Sequence, residues 1–289
     1  MKPKLEIVRS YLQLTKPRIC LLALGMATVG FVFASDQPAD WQKLWFALAG
    51  TAFIGAAAGA LNQYLERDID CQMRRTLVRP IPSGIISPQR AFSFGIYCAV
   101  FGVATLLYAV NFLTAALGAA TLVFYLGVYT PLKRTSPIST FMGGVAGAVP
   151  PLMGVTAATG LLRWEGLLLF SVLYFWQIPH AMAVAWMFRD DFTHAGLPLL
   201  PVLDEEGWVT SIAAVLCSMI LLPIVLLPWF WEKTGALYFW GGTLLGIIYF
   251  GFALSLMFNR SLVAAKRLFV YSLVYLPSLG FLLMWDKRV

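Results

Sequence analysis

The stretch QKLWFALAGTAFIGAAAGALNQYLERDID (42–70) passes from a long apolar run into a dense polar one. Its first part, 42–64, is mostly apolar, and about 20 such residues suffice to cross the hydrocarbon core of a bilayer. Asn62, Glu66 and Asp70 close the stretch at intervals of four residues. This pattern predicts a transmembrane helix whose end, at the membrane surface, carries polar side chains.

The rest of the chain repeats the apolar part of this pattern. Hydrophobic residues make up 60% of the 289 residues and charged residues only 12%, whereas soluble domains carry about 25% charged residues. We therefore predict an all-α fold: a polytopic transmembrane helical bundle of about nine helices, forming a single domain over 1–289. The predicted spans are about 17–35, 42–64, 91–110, 113–131, 138–159, 166–187, 209–230, 236–257 and 267–285.

The distribution of basic residues predicts the orientation of this bundle. With nine spans, 16 of the 21 Lys and Arg residues fall on the side of the N-terminus and 5 on the other side. Because cytoplasmic loops are enriched in Lys and Arg, the N-terminus is expected in the cytoplasm. The net charge of +7 is thereby explained by topology, and no nucleic-acid partner is expected because no basic stripe lies on a soluble module.

The segment 62–79 contains acidic side chains that suit a metal ion and basic side chains that suit phosphate groups. Asn62, Glu66 and Asp70 would stack along one helix face, and their oxygen atoms suit Mg²⁺, which shares its coordination sphere with water and substrate phosphates. Arg74, Arg75 and Arg79 follow directly, and guanidinium groups match phosphate geometry. The segment predicts a Mg²⁺–diphosphate site. The alternative is a charged helix end whose carboxylates pair with the neighbouring arginines.

Two further segments carry candidate residues. Lys133 and Arg134 follow a span near Tyr129, and they either clamp a diphosphate, with the tyrosine as hydroxyl donor, or anchor the helix by the positive-inside rule. Lys16 and Arg18 open the first span, where anchoring by snorkelling is the favoured interpretation over contact with phosphates.

His180 and the acidic residues after it form the last constellation. His180 lies in an apolar span beside Trp176 and Gln177, and it is either a satisfied core residue or an axial ligand of haem iron. Asp190 and Asp191 begin the following loop, where they could complete a metal site or simply face solvent.

At these residues the chain resembles a known family. The spacing Asn62-x3-Glu66-x3-Asp70 looks like the first Asn/Asp motif of the UbiA superfamily of intramembrane prenyltransferases. The surrounding segments are similar to those of its protohaem IX farnesyltransferase branch, and the resemblance covers nearly the whole chain. The segments are TKPR (15–18), NQYLERDID (62–70), RPIPSG (79–84), YTPLKR (129–134), GGVAGAVPP (143–151), WQIPH (176–180) and DDFTHAGLPLLP (190–201).

The resemblance implies a reaction and its participants. Farnesyl diphosphate would alkylate the 2-vinyl group of haem B (protohaem IX), and addition of water would give haem O and diphosphate. Mg²⁺ would be the cofactor, and haem A synthase and terminal oxidase assembly proteins would be candidate partners in the lipid bilayer. The resemblance and the lack of a transit peptide imply a bacterial inner membrane enzyme whose active site faces the cytoplasm.

The resemblance also implies roles for individual residues. The Mg²⁺–diphosphate ligands, which are also the catalytic residues, would be Asn62, Glu66, Asp70 and Asp191. The phosphates would be held by Arg75, Arg79, Lys133 and Arg134, with Tyr129 nearby and His180 as the haem contact.

Three other functions are weighed at this point. A related prenyltransferase acting on a quinone or chlorophyll precursor would share the metal site, although WQIPH (176–180) argues against it. A transporter or channel would place charged residues near the middle of the bilayer, whereas the acidic clusters here lie at one surface. A scaffold protein would not need an ordered Asn-Glu-Asp spacing.

Overall fold

The computed structural model describes residues 2–35 and 39–288, with side chains from Glu6 onward. Its described part contains nine helices that are long and apolar enough to cross a membrane, which confirms the predicted all-α transmembrane bundle. In chain order they are α2 (Pro17–Ala34), α3 (Trp41–Leu65), α5 (Pro88–Ala109), α6 with its extension through the short helix α7 (Thr130–Leu132), together Phe112–Leu132, then α8 (Ser139–Thr159), α9 (Trp164–Met187), α12 (Trp208–Phe230), α13 (Ala236–Asn259) and α14 (Leu262–Trp285).

The helix bounds differ from the prediction mainly at the start of α14. It begins at Leu262, five residues before the predicted start at 267. The reason is local, because the Ser261 side chain accepts a hydrogen bond from the Ala264 N–H at 3.2 Å and so caps the helix. Lys266 and Arg267 therefore lie within the first two turns and not before the helix.

In the described part of the chain, four shorter helical segments lie outside the spans and were not expected from the sequence. They are α1 (Lys2–Leu14), α4 (Arg67–Asp70), α10 (Arg189–His194) and α11 (Leu200–Leu203). α1 is too short and too charged to cross a bilayer. It is held against the bundle by Leu14, which is fully buried, and by an edge-to-face contact of Tyr11 with Phe94 at 5.1 Å.

Small residues bring α2 and α8 into close contact. A Cβ atom added at Gly154 would overlap the Ala27 carbonyl oxygen of α2, and one added at Gly30 would overlap the Pro151 carbonyl of α8. Packing of this kind, backbone against backbone, is how small residues stabilise helix pairs in membranes. It confirms the close contact expected from GGVAGAVPPLMG (143–154).

The longest connections, 66–87 and 188–207, lie together at one end of the bundle, which we name the connector face. Buried side chains from both connections form one apolar cluster there, comprising Ile69, Met73, Phe192, Leu197 and Leu199 with Ala185 of α9. This contact confirms that the two acidic segments lie on the same side of the bundle, as the site requires.

The native cysteines provide a test of this topology. Cys71 is exposed on the connector face, whereas Cys98 and Cys217 are buried in the bundle. We expect a membrane-impermeant maleimide to label Cys71 in inverted bacterial vesicles and not in right-side-out vesicles. In a Cys71→Ser background, Leu161→Cys, at the opposite end of the bundle, should show the reverse pattern. Labelling of Cys71 from the periplasmic side would contradict the orientation.

Candidate active site

The three polar residues at the end of α3 form a continuous ladder. The Glu66 N–H donates to the Asn62 carbonyl at 2.9 Å, and the Asp70 N–H donates to the Glu66 carbonyl at 2.8 Å. Although α3 ends at Leu65 and α4 begins at Arg67, these bonds keep the helical spacing of one turn between successive members. All three side chains are buried, with exposed fractions of 2, 3 and 0%. The predicted stacking along one face is confirmed.

Each member of the ladder contacts a basic side chain from a different part of the chain. One comes from the turn before α2, one from the end of the fourth span and one from the connection that follows α4. The pairs are Lys16 Nζ with Asn62 Oδ1 at 2.7 Å, Lys133 Nζ with Glu66 Oε1 at 3.0 Å, and Arg79 Nη1 with Asp70 Oδ2 at 2.6 Å. Three cations thus face two carboxylates and one amide, which gives the cluster a surplus of positive charge.

Burial and charge act against each other within this cluster. Burial alone would raise the pKa of Glu66, but Lys133 and Lys16 outweigh it and the net shift of that pKa is downward. Burial raises the pKa of Asp70 despite its contact with Arg79. Burial, with repulsion from Arg79, also lowers the pKa of Lys16 to about 8. The cluster therefore carries a net positive charge that suits an anionic ligand.

A π-helical segment aligns the fourth span with the ladder. Residues Tyr125–Tyr129 form this segment, and such segments are frequent at functional sites. The Thr130 hydroxyl donates to the Tyr125 carbonyl at 2.9 Å and accepts from Asn62 Nδ2 at 3.3 Å. Tyr129 is half-buried and lies beside Tyr125, with ring centroids 5.1 Å apart.

Arg134 lies away from the ladder, unlike its neighbour Lys133. Its guanidinium forms a bidentate pair with Asp68 at 2.8 and 2.9 Å and also donates to the Leu65 carbonyl. Both partners of the ion pair are exposed. The structure therefore does not bring Arg134 to the ladder as expected from the sequence, because Lys133 and Arg134 of the turn after Leu132 contact different parts of the 62–70 segment.

Arg75 and Asp191 connect the two halves of the connector face. The Arg75 N–H contacts Asp191 Oδ2 at 3.4 Å. The Arg75 guanidinium lies over the rings of Phe188 and Phe192, at 5.2 and 5.4 Å from their centroids. Asp191 is half-buried at this position, and Asp190 and Arg74 are exposed. Asp191 thus faces the 66–87 connection and not solvent alone.

His180 occupies a separate position inside the bundle, on α9. Its Nδ1 atom lies 2.7 Å from the Ser272 hydroxyl of α14. The ring stacks on Trp176 and packs on Phe269, with centroid distances of 5.1 Å in both cases. None of these contacts involves the ladder.

The donors of the ladder fit a metal ion that is shared with a substrate. Within the described ranges, no group of three or more His, Cys, Asp and Glu side chains could hold a metal ion alone. Mg²⁺ does not need such a group, because it is commonly held by one or two carboxylates together with waters and substrate phosphates. Asn62, Glu66 and Asp70 supply such oxygen atoms.

Lys16, for which the sequence favoured a role as a membrane anchor, contacts the ladder through Asn62 Oδ1 at 2.7 Å. Lys16 has φ 51° and ψ 60°, a left-handed conformation that is uncommon and costly for a residue with a side chain. This turn separates α1 from α2. The signal available in the sequence was the position of the lysine directly before Pro17, which opens α2 and can begin a helix but not continue one.

Comparison with known proteins shows the family of the chain. Residues 23–278 match the model of the UbiA prenyltransferase family. The protoheme IX farnesyltransferase of Solibacter usitatus is 37% identical, with 97% of this chain and 99% of that protein covered. The corresponding protein of Opitutus terrae is 41% identical, with 92% of this chain and 90% of that protein covered. The mitochondrial protoheme IX farnesyltransferase of Arabidopsis thaliana is 35% identical, with 93% and 63% covered.

Solved structures share the fold at lower identity. A digeranylgeranylglyceryl phosphate synthase superposes with a TM-score of 0.81 at 17% identity, covering 97% of this chain and 98% of that one. A UbiA homologue from Archaeoglobus fulgidus, bound to GPP and Mg²⁺, superposes with a TM-score of 0.69 at 19% identity, covering 96% and 99%. With the matched family model and the full-length relatives, the conclusion is direct: the chain belongs to the UbiA prenyltransferase family.

Proposed function

We propose that this chain transfers the farnesyl group of farnesyl diphosphate to the 2-vinyl group of haem B. Addition of water would complete the reaction and give haem O and diphosphate. The observation that carries the proposal is the buried ladder of Asn62, Glu66 and Asp70, each paired with a basic side chain at one end of a membrane bundle. The full-length relatives named protoheme IX farnesyltransferase support this choice of substrates.

In this proposal the ladder binds Mg²⁺, and the three cations bind the phosphate groups of the diphosphate. Asn62, Glu66 and Asp70 would hold Mg²⁺, with Asp191 approaching from the other connection. The ion, when bound, would neutralise charge on the diphosphate and make it a better leaving group. Electrostatic stabilisation of a departing anion by fixed donors in a dry site is a large term in enzyme catalysis.

Lys16, Lys133 and Arg79 are the side chains best placed to bind the phosphate oxygens. Each already lies within 3.0 Å of a ladder oxygen, so the phosphates of a ligand held on the ladder would lie within their reach. Arg75 and Arg134 lie at the rim, where we propose that they attract the diphosphate and order the connections. Charged groups that line an entrance in this way raise the local concentration of an anionic substrate.

The interior next to the ladder is suited to an allylic cation. The rings of Tyr125 and Tyr129 lie at the end of the fourth span, directly before Thr130, which contacts Asn62. Aromatic faces stabilise cations that are shielded from water, and an apolar surrounding delays quenching of the farnesyl cation by water. The electron-rich vinyl group of haem B could then attack the carbon that the diphosphate has left.

We further propose the location of the reaction. The excess of basic residues around the connector face supports a cytoplasmic orientation of the site in a bacterial inner membrane. Haem O with its farnesyl chain would stay in that membrane, so haem A synthase and terminal oxidase assembly proteins are the partners that we propose for the product.

A direct assay tests the reaction and its metal dependence. Purified protein incubated with haem B, farnesyl diphosphate and Mg²⁺ should produce a haem heavier by a hydroxyfarnesyl group, as measured by mass spectrometry. Excess EDTA should abolish the product and Mg²⁺ should restore it, because the ladder donors suit a hard cation. Undiminished turnover in EDTA would contradict the metal assignment.

Asp70 and Asp68 form a matched pair for the ladder. Asp70→Asn keeps the size of the side chain but removes its charge, and we expect turnover to fall by about 100-fold or more because charge stabilisation at the leaving group is lost. Asp68→Asn removes an exposed carboxylate two residues away and should leave turnover near that of the parent protein. Equal effects of both variants would exclude a specific role of the ladder. Monodisperse elution in detergent serves as the folding control.

Lys16 and Arg18 provide a second matched pair. Lys16→Met should weaken binding of inorganic diphosphate in the presence of Mg²⁺ by about 10- to 100-fold, since a charge-assisted contact contributes about 1.5–3 kcal/mol. Arg18→Met removes an exposed cation two residues later and should change the affinity little. Calorimetric titration measures both variants. Unchanged affinity in Lys16→Met, or an equal loss in both variants, would contradict a specific role of Lys16 as a phosphate ligand.

A further inference from the structure

The Ser272 hydroxyl determines where the protons lie around His180. Ser272 is fully buried on α14, and its hydroxyl donates to the Phe269 carbonyl one turn earlier, at 2.5 Å. A hydroxyl has a single proton, and a carbonyl cannot donate one. The Ser272 oxygen is therefore left to act as an acceptor toward any third group.

That third group is His180. Its Nδ1 atom lies 2.7 Å from the Ser272 oxygen, a distance at which one of the two atoms must donate. Because the Ser272 proton is directed at Phe269, Nδ1 carries the proton and donates it. In a neutral imidazole the other nitrogen, Nε2, then holds the free lone pair.

The same residue of α14 also holds the neighbouring ring. Trp176 Nε1 donates to the Ser272 carbonyl at 3.0 Å, and the Trp176 carbonyl accepts from the Tyr249 hydroxyl at 2.8 Å. Since His180 lies between Trp176 and Phe269, both the tautomer and the orientation of the imidazole depend on Ser272.

Nε2 is left available for a ligand. No described group, with side chains counted from Glu6 onward, forms a hydrogen bond with it, and His180 is only half-buried. A histidine that only packed within the bundle would not require one particular ring nitrogen to carry the proton. Histidines that bind metals, by contrast, almost always donate their other ring N–H to a fixed acceptor, which orients the ring and raises the basicity of the ligating nitrogen.

We propose that Ser272 is a positioning residue that presents His180 Nε2 as an axial ligand to the iron of the haem substrate. This inference rests on the proposed function and specifies how the acceptor substrate is held. Coordination of the iron fixes the plane of the porphyrin, so that one vinyl edge can be directed at the farnesyl cation.

The position of His180 along α9 agrees with this role. It lies seven residues before Met187, where α9 ends, and seven residues correspond to about 10 Å of helix rise. The connection that carries Asp191 follows that end of the helix. His180 is thus inside the apolar bundle, whereas the proposed diphosphate ligands lie at its connector face. This arrangement suits an apolar acceptor group and a charged leaving group.

The test uses the purified full-length protein and haem B without farnesyl diphosphate, so that no turnover occurs. We expect the parent protein to bind haem with an iron–histidine stretching band in the resonance Raman spectrum of the ferrous form. His180→Gly should lose the band and recover an iron–imidazole band when imidazole is added. Ser272→Ala should shift the band to lower frequency and weaken haem binding by about 10-fold or more, whereas Ser272→Thr keeps the hydroxyl and should preserve both.

Ser218→Ala is the matched control for Ser272→Ala. Ser218 is also buried, and its hydroxyl also bonds to the carbonyl three residues earlier, at 2.9 Å. A band and an affinity in Ser272→Ala equal to those of Ser218→Ala would overturn the role of Ser272. A histidine band that persists in His180→Gly without imidazole would overturn the axial ligand as well.

Failure of the proposed function would be visible separately. If the spectra behave as expected and no haem O forms with farnesyl diphosphate and Mg²⁺, the haem ligation stands and the transfer reaction does not. Metal-free protoporphyrin IX completes the design, because its binding should be insensitive to His180→Gly if the histidine acts through iron.

Discussion

The arrangement of the connector face depends on one constraint, which is that two carboxylates buried at the end of a membrane helix must be compensated by cations. A buried charge without a partner costs several kcal/mol, and Glu66 and Asp70 are 3 and 0% exposed. Lys133 and Arg79 meet this requirement, and Lys16 adds a third cation on Asn62. Because the three cations come from three segments, the same contacts hold those segments in place around the ladder.

The packing of α2 against α8 explains how a lysine from the start of the first span reaches the ladder. Gly30 and Gly154 allow backbones to touch along this pair, and the turn at Lys16 ends α1 where α2 begins. At this turn, a Cβ on Gly59 of α3 would overlap the backbone of Leu14 and Thr15. The close approach of three backbones at small residues thus fixes the depth at which the Lys16 ammonium lies.

Different interactions dominate in the two parts of the proposed site. At the surface, ionic pairs between Lys, Arg and carboxylate groups dominate, and they suit a polyanion and a hard cation. Inside the bundle, His180 lies among Trp176, Phe269 and Ser272, where hydrogen bonds of neutral groups and aromatic contacts dominate. A transferase that removes an alkyl group from a charged leaving group and joins it to an apolar acceptor group needs both environments.

By itself the sequence determined the nine spans, the side of the basic residues and the spacing of Asn62, Glu66 and Asp70, because these follow from hydropathy and from helix geometry, which are local. The sequence could not predict α1, because this helix is shorter than a membrane span. It also could not decide which of Lys133 and Arg134 contacts the ladder, because the two adjacent basic residues differ only in the direction in which the fold turns them. Only the tertiary structure decided the contacts of Lys16 with Asn62, Lys133 with Glu66 and His180 with Ser272, which join residues 46, 67 and 92 positions apart. Such pairs depend on which helix faces meet, and that is set by the packing of the whole bundle and not by any segment of it.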